Sequence, residues 1–253
     1  MDIKEMFWAS KIEKTAFPLF SQNHLLALGI IILVLVYIFL NRDAFENEKR
    51  RNRFRKVLGV VLILQQSLLY LWYVTSGNFT LGETLPLYTC RIAIFLCIGM
   101  LMCESYKCFE LAYFWGIAGG IMALMTPDTS GFGFPHLMFV QFFVGHGGMI
   151  ISLIFMILVY EYKPTKESIY RSSRWTLVYF AIVGVLNYLV DGNYSYLRAK
   201  PATATPMDIL PIYPYYVPIF IAAFIGSFWL FYAPFSPKLH EKIDDFKQGI
   251  IGN

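Results

Sequence analysis

Residues 136–160 read HLMFVQFFVGHGGMIISLIFMILVY, a run with no Asp, Glu, Lys or Arg anywhere in it. A helix needs about 17 to 25 predominantly apolar residues to cross a hydrocarbon core, so this one segment sets the class of the protein. Six further windows of similar character lie around it, at 23–40, 57–76, 87–104, 109–126, 175–190 and 213–233. The expected fold is all-α, a polytopic transmembrane bundle of about seven spans forming a single domain over 23–234. An amphipathic lead-in at 1–22 and a tail at 235–253 flank it. The lead-in has lysines but neither an uninterrupted apolar stretch nor a small-residue cleavage site, so it is expected to be retained and not removed as a signal peptide.

Composition agrees with this class. Of 253 residues, 57% are hydrophobic and 15% charged, and mean hydropathy is +0.53, more apolar surface than a soluble domain of this length could bury. The charges collect between the windows, in NRDAFENEKRRNRFRK, ESYKC and EYKPTKESIYRSSR, whereas GNFTLGETLP, TPDTSGFGFP and DGNYSYLRAKPATATPMDILP supply glycine, proline and other turn formers. Alternate segments at 41–56, 104–108, 161–174 and 235–253 carry 15 of the 21 lysines and arginines, and the other segments outside the windows carry 5. The positive-inside bias then predicts a multi-pass cell-membrane protein with its N-terminus outside and its C-terminus cytoplasmic, which an odd span number satisfies. The same bias explains the net charge of +4 without a nucleic-acid partner; the partners expected are membrane lipids, together with a lipid or small-molecule substrate. Cys90, Cys97, Cys103 and Cys108 lie in or beside one window, without C-x-x-C pairs or companion histidines, so no metal site, cofactor or disulfide framework is expected.

Polar groups inside spans are expensive and are functional candidates by default. They are Gln65, Gln66, Cys90, Arg91, Gln141, His146 and Asn187. Gly145, Gly147 and Gly148 strip bulk from around His146, leaving room for a substrate or for another helix; a packing role and a functional one are equally weighted. Gly116 and Gly120 form a small-xxx-small face suited to close helix packing. Pro86 favours a helix start, which puts Cys90 in a first turn where a thiolate is stabilised; a small apolar filler is the plainer alternative. Arg91 suits a pairing with Asp128 or Asp191, an anionic head group, or snorkelling to the interface. Gln141 is a candidate neighbour for His146. Asn193, Arg198 and Lys200, with Asn187 beside them, mark 187–216 as either a head-group lid or an aromatic anchor belt.

The succession LPLYTCRIAIFL (85–96), FWGIAGGIMALMTPD (114–128), FPHLMFVQFFVGHGGMII (134–151), NYLVDGNYSYLRAKP (187–201) and PYYVP (214–218) resembles the YwaF/TMEM164 family of integral membrane proteins, distantly similar to the AIG1/ADTRP membrane hydrolases. The resemblance implies transfer of fatty acyl chains between lipids, or their hydrolysis, through an acyl-thioester. It assigns Cys90 as nucleophile and His146 as base; beside them, the polar residues Arg91, Gln141, Asn187, Asn193, Arg198 and Lys200 are the substrate-binding candidates. Tyr88 and Arg91 stand where it leads one to expect histidine and aspartate. The alternatives are a non-enzymatic transporter or binding protein for a small solute or lipid head group, and a structural subunit of a membrane complex.

Overall fold

A computed structural model describes residues 3–10, 18–201 and 205–237. The described residues form helices without strands: α1 (Ile3–Trp8), α2 (Gln22–Leu40), α3 (Glu48–Thr75), α4 (Thr89–Cys103), α5 (Tyr106–Met125), α6 (Leu137–Val159), α7 (Lys166–Leu189) and α8 (Tyr216–Tyr232), joined by short 3₁₀ turns. Each apolar window holds one helix, α2 to α8. The lead-in is described only in part, and most of the tail expected at 235–253 lies outside the described residues.

Five helices, α2, α3, α5, α6 and α8, are long and apolar enough to cross a membrane. The 15 residues of α4 span about 22 Å at 1.5 Å per residue, short of a hydrocarbon core of about 30 Å. Polar residues lower the hydropathy of α7. Two separators expected as loops are partly helical. The basic run joins α3 because Asn47 caps it, its side chain accepting the Arg50 N–H at 3.1 Å, and because arginine and lysine are good helix formers. In EYKPTKESIYRSSR, Thr165 and Ser168 form a capping box that starts α7 at Lys166, nine residues before the window at 175–190.

α5 and α6 lie at the centre, with 56% and 61% of their apolar windows buried, against 17% for α2 and α8. α2, α3 and α4 pack on α6; α4 also pairs with α5, whose other side receives α7 and α8. Glycine permits the closeness of these contacts. A Cβ added at Gly147 would lie 2.6 Å from Ile31 Cδ1 of α2, at Gly148 2.8 Å from Leu62 Cδ2 of α3, and at Gly145 3.0 Å from Gln65 Nε2. On α5, Gly116 receives Leu153 and Met149, and Gly120 receives Met149 and Ile150, so the small-residue face does serve helix packing. The space stripped around His146 is thus filled largely by neighbouring helices.

Polar side chains tie helix ends across the bundle. Buried Arg55 of α3 donates to the Leu101 carbonyl and pairs with Glu104 at 2.8 Å, a cation at the C-terminus of α4 where the helix dipole favours it. Buried Glu110 of α5 takes both Arg171 and Ser168 of α7, and Trp115 donates to Thr176 at 2.8 Å. Buried His24 of α2 meets the Leu124 carbonyl at 2.8 Å. At the start of α6, His136 accepts the Met138 N–H and donates to the Ala9 carbonyl; burial beside Trp72 and Phe132 holds its imidazole below the usual range.

Gly147→Ala should destabilise the bundle by about 1–3 kcal/mol, the usual effect of overpacking, and Ile31→Ala in the same chain should recover part of that loss. Thermal unfolding of the purified protein in detergent would check both changes.

Candidate active site at the head of α4

Cys90 is the second residue of α4. Its sulfur rests on the backbone of α5, 2.8 Å from where a Gly119 Cβ would stand. The thiol is enclosed by protein, although the residue as a whole is only half-buried. The expectation of a first-turn thiol holds.

Loop segments and α7 brace this helix end. The Thr89 N–H donates to Ser195 Oγ at 3.3 Å, and the Tyr179 hydroxyl lies 2.6 Å from the same oxygen while donating to the Leu87 carbonyl. Tyr194, fully buried, donates to the Leu81 carbonyl at 2.7 Å and accepts the Leu85 N–H at 2.9 Å. Ser195 and Tyr196 adopt left-handed backbone, with φ of 55° and 57°, a strain of order 1–3 kcal/mol per residue that surrounding bonds must hold. Burial, and then the nearby Asp128 carboxylate, push the Tyr196 hydroxyl above the usual phenol range, so it stays protonated. None of Tyr179, Tyr194 and Ser195 was foreseen as part of the site; the pattern NYSY signals only a turn.

Arg91 pairs with neither Asp128 nor Asp191. Its guanidinium donates to the carbonyls of Glu83, Thr84 and Leu85 and to the Tyr73 hydroxyl at 2.9 Å, and packs on the rings of Tyr73 and Tyr88. Every one of those acceptors is neutral, so the cation keeps its full charge.

His146 lies in the body of α6. Its Nδ1 stands 2.9 Å from the Phe142 carbonyl; a carbonyl only accepts, so Nδ1 carries the hydrogen and Nε2 keeps a lone pair. His146 is three and four residues from Met149 and Ile150, which touch Gly116 and Gly120, and so shares their α5-facing side. Cys90 meets α5 at Gly119. Thiol and imidazole therefore face the same stretch of α5. No hydrogen bond joins them. Ile94, one turn below Cys90, reaches within 3.2 Å of the Cβ position at Gly145, so the two residues differ in depth by about one helical turn, ~6 Å.

The remaining candidates are engaged elsewhere. The Gln141 amide accepts from Gln65 at 2.8 Å and donates to the Met138 carbonyl, not to His146. Asn187, fully buried, clamps the Tyr194 backbone from both ends of its amide, at 3.0 and 2.7 Å. Asn193 accepts the N–H groups of Arg198 and Ala199. Arg198 hydrogen-bonds Asp191 at 2.8 Å, which holds its guanidinium pKa above the usual value, and Lys200 donates to the carbonyls of Leu210 and Asp208. These four residues build the 187–201 segment. Among the described residues, no three His, Cys, Asp or Glu side chains gather where a metal could bind.

The family model that matches this chain is that of the TMEM164 family, over residues 19–232. The chain belongs to the TMEM164 family. That span takes in α2 to α8 and hence every site residue described above. No curated protein and no solved structure matches this TMEM164-family chain.

Asn187→Ala removes both side-chain anchors of the Tyr194 backbone. The 190–200 segment of this TMEM164-family chain should then open, at a loss of about 1–3 kcal/mol for buried hydrogen bonds left unmade. Amide hydrogen exchange would show faster exchange at Tyr194 to Ala199, with α5 and α6 unchanged.

Proposed function

We propose that this protein is a lipid acyltransferase or lipid hydrolase of the cell membrane, acting through a thioester on Cys90. All seven helices α2 to α8 enter the membrane, with the head of α4 on the outer side and the C-terminus cytoplasmic, the arrangement that the lysine and arginine distribution favours. His146 Nε2 takes the Cys90 proton. The thiolate adds to the ester carbonyl of a lipid; the carbonyl–oxygen bond then breaks, and the leaving alkoxide takes the proton back from His146. The acyl group passes from sulfur to a second lipid alcohol, or to water in hydrolysis, and the thiol is regenerated. Arg91, charged and without a carboxylate partner, attracts an anionic head group.

The observation that carries this function is the approach of a thiol and an imidazole with a lone pair on Nε2 to the same stretch of α5. A second reading, a non-enzymatic lipid or solute binder, draws on the lack of a hydrogen bond between Cys90 and His146. Turnover separates the two.

Wild-type protein in proteoliposomes should accumulate a hydroxylamine-labile acyl group on Cys90, seen by mass spectrometry, and should redistribute acyl chains among the lipids. Cys90→Ala should abolish both, and His146→Ala should slow them by about 10²–10⁴-fold, the usual contribution of a general base. Gly119→Ala, which pushes the sulfur from its seat, should lower turnover without unfolding the protein. Unchanged lipid turnover in Cys90→Ala would remove the thioester mechanism and leave the binder.

A further inference from the structure

At the end of the bundle away from Cys90, α3 carries a stripe that changes character along its length. Lys49, Arg53 and Lys56 stand at i, i+4 and i+7, on one helical face. Val57, Val60 and Val61 follow directly, 53%, 46% and 39% exposed, and Asn52 lies at the edge. Together these residues, all on α3, line a shallow, open groove of about 570 Å³.

The three cations are unusual among their neighbours. Arg42 pairs with Asp43; Arg50 donates to the Tyr37 hydroxyl at 2.9 Å; Arg51 packs over the Tyr160 ring; Arg55 is held by Leu101 and Glu104. Lys49, Arg53 and Lys56 have no such partner, and among the described residues no carboxylate comes within 4.0 Å of them. The adjacent acid, Glu48, accepts from the Asn52 amide at 3.3 Å. Like charges spaced i, i+4 on a helix repel, so the stripe is electrostatically incomplete as it stands. An anion completes it.

We propose that this groove binds one anionic glycerophospholipid, its phosphate among Lys49, Arg53 and Lys56 and an acyl chain along Val57, Val60 and Val61. A soluble anion would need the cations alone. The valines continue the same face where the helix turns apolar, and the distance from Arg53 to Val61, about 12 Å at 1.5 Å per residue, suits a head group joined to the first part of a chain. The groove is separate from the surroundings of Cys90: Arg55, in the midst of the stripe's residues, meets the far end of α4.

Native mass spectrometry of the full chain in detergent, titrated with phosphatidylglycerol or with phosphatidylcholine, tests this. Wild type should retain one phosphatidylglycerol in preference to phosphatidylcholine. With about 1 kcal/mol per basic residue near a membrane surface, the variant Lys49→Ala/Arg53→Ala/Lys56→Ala should lose about a hundredfold in that affinity, and the charge-retaining Lys49→Arg/Lys56→Arg should keep it. Arg53→Glu alone, which keeps the chain foldable should the triple variant fail, should lose at least fivefold. Equal retention of the two lipids by wild type, an undiminished preference in Arg53→Glu or the triple variant, or displacement by glycerol phosphate at equal concentration would each overturn the proposal, the last by showing an anion site and not a lipid site.

Discussion

Everything in this bundle depends on how closely other helices approach the backbone of α6. Within four residues, Gly147 and Gly148 admit Ile31 and Leu62 to distances that a Cβ essentially never shows, and Gly145 admits Gln65 to one that is tighter than most. In lipid, helices gain little from burying apolar surface against one another, so association rests on such packing contacts and on polar ties. The three glycines fix the depth of α2 and α3 against α6, and Gly116 and Gly120 do the same for α5 from the other side. Only His146 in that run carries a side chain. It is held where the contacts leave one direction open, toward α5.

Polar ties then set the two ends. At one end Arg55 neutralises the C-terminus of α4 through Leu101 and Glu104, while Glu110 binds α5 to Arg171 and Ser168 of α7. Each pair has one buried and one half-exposed member; removing the exposed partner strands a buried charge, so these pairs fix which helices are neighbours more than they add net stability. At the other end the ties run from loop to helix: Ser195 to Thr89, Tyr194 to Leu81 and Leu85, Arg91 to the carbonyls of 83–85. Left-handed Ser195 and Tyr196 are held against their backbone preference by Asn187 and Tyr179. Strain of this kind collects beside sites that must present groups in a set geometry.

The helices were legible in the sequence because an apolar run long enough to span lipid has few other fates, and each window became a helix. Less visible was what the polar runs do. The basic segment before residue 57 looked like a loop from its charge, yet Asn47 caps it and arginines with aromatic or carbonyl partners carry it as the first turns of α3. The thiol of Cys90 could be placed from Pro86 alone, since a helix start is a local matter. Arg91, Asn187, Arg198 and Lys200 could not, because a cation or amide in an apolar setting shows its cost but not its partner. All four find partners within about a dozen residues, in backbone carbonyls whose direction only the folded loop defines. For Gly145, Gly147 and Gly148 the sequence marked the vacancy correctly and left open what fills it, which residues eighty or more positions earlier in the chain decide.

An offset of about one helical turn between Cys90 and His146 has a chemical meaning in the proposed acyl transfer. With Nδ1 bound to the Phe142 carbonyl and the sulfur seated on Gly119, neither group can cross the gap by a rotamer change without giving up its anchor. A bridging water or a bound ester oxygen would have to relay the proton, and catalytic hydrogen bonds are often long before substrate arrives. A relay in lipid needs polar walls, or the bridging water loses its hydrogen bonds. Tyr73, Tyr88, Tyr179, Ser195 and the Arg91 guanidinium gather at the head of α4, and the proposed reaction would draw on them for those walls, so that the loop bracing the helix would also serve its thiol.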